Sequence, residues 1–113
     1  MSDLLKIEKK EKATVIIITS SQINMYNIPD IEESFNSVFS EKPATVILDL
    51  TKINYLDSSA MGAIFRANKT IKDYNGNFYI TGVNSTISMV LKITKSDSLL
   101  KIFKTVEDAL VHA

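Results

Sequence analysis

The sequence predicts a single-domain α/β fold, and three observations carry that prediction. Runs rich in β-branched and aromatic residues recur at 14–19 (TVIIIT), 45–50 (TVILDL) and 78–81 (FYIT), each of strand length. Between them, apolar residues return at helical spacing. The chain has 113 residues, with 45% hydrophobic and 23% charged side chains, which suffices for one core and not for two.

The elements follow in order. Leu5 and Ile7 alternate with polar neighbours as in a short strand, and residues 9–12 read as a turn. The first two strands should therefore pair as a hairpin. Residues 20–26 form a polar connection. Asn27 is placed as an N-cap, with Pro29 in the first turn and Asp30 three residues after the cap. Ile28, Ile31, Phe35, Val38 and Phe39 then fall on one helical face. The near-continuous apolar run at 45–50 predicts a strand covered on both faces, as in a parallel sheet.

Met61, Ile64, Phe65 and Ile71 form a second helical stripe, flanked by Ala60, Ala63 and Ala67, and Asn75-Gly76-Asn77 stops that helix. Asn84 is expected to cap a third helix lined by Ile87, Val90, Leu91 and Ile93. Leu99, Ile102 and Phe103 suggest a short strand. Thr105-Val106-Glu107-Asp108 has the pattern of a capping box and opens a last helix. The order β-β-α-β-α-β-α-(β)-α predicts a mixed, mostly parallel sheet of four to five strands with about four helices.

Composition narrows the function. Thirteen basic and thirteen acidic side chains balance to zero net charge, and the lysines near the start are interleaved with Glu8 and Glu11. Nucleic-acid binding through phosphate neutralisation is not expected. There is no cysteine, which removes disulfides, thiolate metal sites and cysteine nucleophiles together. The first twelve residues lack an apolar core of signal-peptide length, and the run Val15 to Ile18 is too short to cross a bilayer. A soluble cytoplasmic protein without a membrane partner is expected.

One stretch sits oddly between core elements: "NYLDSSAMGA", residues 54–63, at the carboxyl end of a predicted strand, where α/β sheets gather functional residues. The connection at 20–24 lies at another such end, and the two loops could be neighbours. Asp-Ser-Ser before an apolar helical run reads first as a helix cap. A serine hydrolase is not expected: there is no Gly-x-Ser-x-Gly, and the only histidine, His112, is next to the carboxyl terminus. Asp49 and Asp57 read as a strand end and a cap rather than as metal ligands. No phosphate-binding glycine motif is present, so no cofactor is expected. A serine at a helix N-terminus is, however, a favourable carrier of a phosphate, because free amides and the helix dipole both favour negative charge there.

The run "ATVILDLTKINYLDSSAMGAIFRANKTIKDYNGNFYITGVNSTISMVLKIT", continued through "LKITKSDSLLKIF" and "TVEDAL", resembles the STAS domain family, and within it the bacterial anti-sigma factor antagonists. Asp49-Leu50, Asp57-Ser58-Ser59 and Gly82 occupy the family's motif positions. The resemblance implies one STAS domain over 1–113 and a binding protein that is not an enzyme. In such proteins the unphosphorylated form binds an anti-sigma factor, a serine kinase of the histidine-kinase-like ATPase type, and frees a sigma factor. Phosphorylation switches that binding off, and a serine phosphatase restores it. Carried over residue by residue, the phosphoacceptor is Ser58, Asp57 orients the loop and Ser59 is its cap neighbour. Ala60 and Met61 are expected beneath the partner, and Ser21, Gln22 and Asn24 in contact with it. The family often has Gly-Glu-Leu/Ile-Asp where this chain has Ser21-Gln22-Ile23-Asn24, so two carboxylates are missing beside the site, and Ala60 stands where glycine is common. The alternative implied by the same resemblance is a STAS scaffold, or an accessory subunit of a stress-sensing complex or of a lipid or anion transporter, without a phosphoswitch.

Overall fold

The three apolar runs become the central strands of a computed structural model that describes residues 4–113. They are β2 (Thr14–Ile18), β4 (Thr45–Asp49) and β6 (Asn77–Thr81), mutually parallel. β1 (Leu5–Lys9) lies antiparallel on β2, with Leu5 opposite Ile18 and Lys9 opposite Thr14. The turn between them is closed by the Lys10 amide donating to the Ala13 carbonyl at 2.7 Å. β7 (Lys101–Phe103) adds parallel to β6, giving the order β1-β2-β4-β6-β7. The first three residues of the predicted 1–113 domain lie outside the described residues.

α1 (Ile28–Phe39), α2 (Ser58–Asp73) and α3 (Ser85–Ile93) are the crossovers between successive parallel strands. All three steps go the same way across the sheet. Parallel crossovers share one hand, so these helices fall on one face. There Ile16, Ile18, Val46, Leu48, Phe78 and Ile80 pack with Ile31, Phe35, Ile64, Ile71 and Ile87 in the main core. α4 (Val106–Val111) covers the opposite face, where Val15, Ile47 and Tyr79 meet Ala109. Adjacent strand residues thus point into two different cores, which is why β2 and β4 are apolar without alternation.

Local signals mostly fall where the sequence places them. The predicted face of α1 is buried at all five positions. Asn84 Oδ1 accepts from the Ile87 amide at 2.8 Å and Thr105 Oγ1 from the Asp108 amide at 3.1 Å, so both caps form. α2 ends in a Schellman motif: Gly76 donates to the Ile71 carbonyl at 2.8 Å and Asn75 to the Lys72 carbonyl at 2.9 Å. The left-handed residue there is Asn75, with φ +66°, and not the glycine. Gly76 is needed for space, since a Cβ would stand 2.8 Å from Ile71 Cγ2.

Two expectations are corrected. Asn27 precedes α1 but makes no side-chain cap, because its amide group is engaged in the preceding loop: Oδ1 accepts from the Asn24 amide at 2.9 Å and Nδ2 donates to the Gln22 carbonyl at 2.9 Å. Ile93 is 74% exposed and does not line the core side of α3, and Leu99, expected in the short strand, is 66% exposed and precedes β7.

Candidate functional site

Two loops leave the carboxyl ends of the neighbouring strands β2 and β4, and they are knitted together. Each contributes two residues, β3 (Gln22–Ile23) and β5 (Tyr55–Leu56), to a small parallel ribbon in which Gln22 faces Tyr55 and Ile23 faces Leu56. Strand alternation sends Ile23 and Leu56 into the core and leaves Gln22 and Tyr55 on the surface. The Asn54 amide donates to the Ser21 carbonyl at 2.6 Å and the Asp57 amide to the Ile23 carbonyl at 3.2 Å. The neighbourhood left open by the sequence is therefore real. A two-residue ribbon is too short to give a periodic signal.

The loop from β4 begins at a polar knot. Asp49 Oδ1 accepts from Thr51 Oγ1 at 2.5 Å, from the Thr51 amide at 3.1 Å and from the buried Thr81 hydroxyl at 3.2 Å. Gly82 lies against it with φ +75°, and a Cβ there would stand 2.7 Å from the Thr51 nitrogen. Asn84 Nδ2 then holds the Ile53 carbonyl at 3.0 Å. Asp49 thus fastens the base of the loop.

Asp57 is the N-cap of α2, and its carboxylate joins the helix to the neighbouring loop. Oδ1 accepts from Ser59 Oγ at 2.6 Å and from the Ala60 amide at 3.0 Å. Oδ2 accepts from the Met25 amide at 3.0 Å, 32 residues away in sequence. The Ser59 hydroxyl foremost, with the Ala60 and Met25 amides, holds the Asp57 carboxyl below the usual carboxylate range.

The two serines differ. Ser59 is half-buried and its hydroxyl is spent on Asp57. Ser58, the first residue of α2, is exposed, and its hydroxyl has no partner among the described residues. It stands where helix amides and the helix dipole favour an anion.

Ser21 and Gln22 are exposed beside this point. Asn24 organises its own loop: Oδ1 accepts from the amides of Tyr26 at 2.9 Å and Asn27 at 3.3 Å, while Nδ2 donates to Gln22 Oε1 at 3.2 Å. An aspartate could accept the first two bonds but could not donate the third. Ala60 and Met61 correct an expectation. They are 0% and 8% exposed and belong to the main core, because they lie on the inner face of α2. They support the site from below and offer no surface to a partner. Met25, Tyr26 and Tyr55 are exposed beside it and were missed. Their only sequence signal is that they are apolar residues within polar connections, without a periodic partner. Among the described residues, no three carboxylate or histidine side chains converge as a metal site requires.

Residues 5–109 match the STAS domain family. The chain belongs to that family. The anti-sigma-B factor antagonist of Listeria monocytogenes is 27% identical over 106 residues, which cover 91% of each chain. Solved STAS folds superimpose closely. An anti-sigma factor antagonist from Mycobacterium paratuberculosis matches with a TM-score of 0.87 at 19% identity, over 96% of this chain and 91% of that one. SpoIIAA of Bacillus in its phosphorylated form matches with a TM-score of 0.73 at 14% identity, over 96% and 97%. A sulfate transporter family protein from Wolinella succinogenes matches with a TM-score of 0.78 at 16% identity, over 91% and 85%. At these identities the structures establish the shared STAS fold. Among the described residues, no helix is long and apolar enough to cross a membrane.

Proposed function

We propose that this STAS domain is an anti-sigma factor antagonist and not an enzyme. Its unphosphorylated form binds an anti-sigma factor that is also a serine kinase and so releases a sigma factor. Phosphorylation of Ser58 ends the binding, and a serine phosphatase restores it. The observation that carries the reading is the contrast between the serines: Ser58 is exposed and unengaged, whereas Ser59 is committed to Asp57.

In the proposed reaction Ser58 Oγ attacks the γ-phosphorus of ATP held by the kinase, and ADP leaves. The serine proton passes to a base of the kinase. Asp57 is a poor candidate for that base, because three donors stabilise its ionised form. The phosphate adds about −1.5 to −2 charges at a helix end that tolerates them at a gain of roughly 0.3–2 kcal/mol. A partner covering the same point must desolvate that dianion. A penalty of about 3–4 kcal/mol would weaken binding several hundredfold. The fold stays and the surface switches.

The test is intact-mass measurement after incubation with the kinase and ATP. One added phosphate is expected, absent in Ser58→Ala and retained in Ser59→Ala; the reverse pattern refutes the assignment. The second reading, a transporter-associated or scaffold STAS domain without a switch, draws on the transporter-family fold match and on Gln22 and Asn24 in place of acids. It predicts no phosphate under any kinase condition.

A further inference from the structure

The two loops beside Ser58 are polar and almost uncharged, and three large apolar side chains stand out from them. Residues 20–27 (SSQINMYN) carry no side chain that is charged at neutral pH, and within 53–61 the only charged side chain is Asp57. Yet Met25, Tyr26 and Tyr55 are 63%, 85% and 54% exposed. Their backbones are held in place. Met25 donates to Asp57 Oδ2, Tyr26 donates to Asn24 Oδ1 at 2.9 Å, and Tyr55 is paired with Gln22 in the ribbon. Large aromatic side chains on a fixed backbone lose little entropy on docking and are typical interface anchors.

We propose that Met25, Tyr26 and Tyr55 anchor this chain to a neutral, apolar face of its kinase-type anti-sigma factor. The association is then driven by apolar burial and not by ion pairs. This rests on the function proposed above and names the contact chemistry of the same site. The occupant follows from position: Met25 is bonded to Asp57, and Tyr55 lies three residues before Ser58, so a kinase that reaches the Ser58 hydroxyl must cover them. The contact chemistry follows from charge. Within these two segments the one carboxylate, Asp57, already has both oxygens engaged by Ser59, Ala60 and Met25, so a basic partner surface finds no free acid there. A phosphate on Ser58 would fall inside an apolar contact to which these two segments bring no cation, which makes the switch steep.

The test uses the purified anti-sigma factor kinase of the source organism, titrated calorimetrically with the full chain at about 50 mM and about 500 mM NaCl, a range over which exposed ion pairs are largely screened. Tyr26→Ser and the double variant Met25→Ser/Tyr55→Ser are each expected to weaken binding about 30-fold, with helical circular dichroism and melting unchanged. Wild-type affinity is expected to change less than about threefold with salt. The control Met89→Ser, exposed on α3, is expected to bind as wild type.

Binding abolished by Ser58→Asp but unaffected by the anchor substitutions would overturn the anchor and leave the phosphoswitch standing. A tenfold or greater loss with salt would overturn the apolar mechanism in the same way. No binding of the wild type would overturn both. Co-sedimentation of the wild type with phosphatidylcholine vesicles, lost in Tyr26→Ser, would assign the patch to a membrane and overturn the proposal.

Discussion

Gly82→Ala should show that the strand-end knot sets up the functional loop. Gly82 has φ +75°, where an alanine costs about 1–2 kcal/mol. Its Cβ would also stand 2.2 Å from Thr51 Oγ1, 2.7 Å from the Thr51 nitrogen and 2.8 Å from Asp49 Oδ1. One of these atoms is backbone, so a rotamer change cannot relieve the clash. Thr51 must move, and its two hydrogen bonds to Asp49 stretch or break. At about 1 kcal/mol or more each, that adds about 2 kcal/mol. The total is about 3–4 kcal/mol against a domain stability on the order of 10 kcal/mol. In urea, with a slope near 2 kcal/mol/M, the midpoint should fall by roughly 1.5–2 M. Because Thr51 begins the loop to Ser58, phosphorylation by the cognate kinase should slow as well. Gly62→Ala is the control: it lies in α2, where a Cβ would meet only the flexible Arg66 Nη1 at 3.2 Å, and the gain in helix propensity is about 1 kcal/mol. A Gly82→Ala midpoint within about 0.5 M of wild type would refute the reasoning, as would equal effects of the two substitutions.

Further outcomes follow from the same geometry. Asn75→Gly should stabilise by a few tenths of a kcal/mol to about 1 kcal/mol and Asn75→Ala should destabilise by about 1 kcal/mol, because the α2 stop requires φ +66° there; opposite signs in urea melts would count against the motif. The folded Asp57 carboxyl titrates below its unfolded value, so its contribution is complete above about pH 4 and is lost as pH falls through the folded value. The stability gap between wild type and Asp57→Asn should therefore close on acidification, and a gap constant from about pH 6 to about pH 2 would contradict the assigned hydrogen bonds. Ser59→Ala removes the foremost of those donors, so the acid limb should move toward higher pH in the same melts; an unmoved limb would discount the Ser59 bond.

The site was legible in part. Asp57, Ser58 and Ser59 stand out because a polar triplet interrupts apolar core elements, and the structure gives each a distinct environment. Ala60 and Met61 were misjudged because nearness in sequence to Ser58 says nothing about which face of α2 they occupy. The rotation of about 100° per residue turns them inward. Asn27 reads as a cap by every local rule, but its amide group has better partners in a loop whose shape is set by the ribbon.

What the sequence by itself determined is what depends on near neighbours along the chain. The buried strands, the helix faces, the caps at Asn84 and Thr105 and the single α/β domain all rest on periodicity and on contacts within four residues. Only the tertiary structure decided which loops meet. The β3–β5 pairing, the Met25 to Asp57 bond and the Gly82 to Asp49 approach span about thirty residues, and nothing local encodes such a distance. The bond that engages Ser59 is local, two residues back to Asp57, and the long-range contacts tie that cap to the neighbouring loop through Met25 and pair Tyr55 with Gln22.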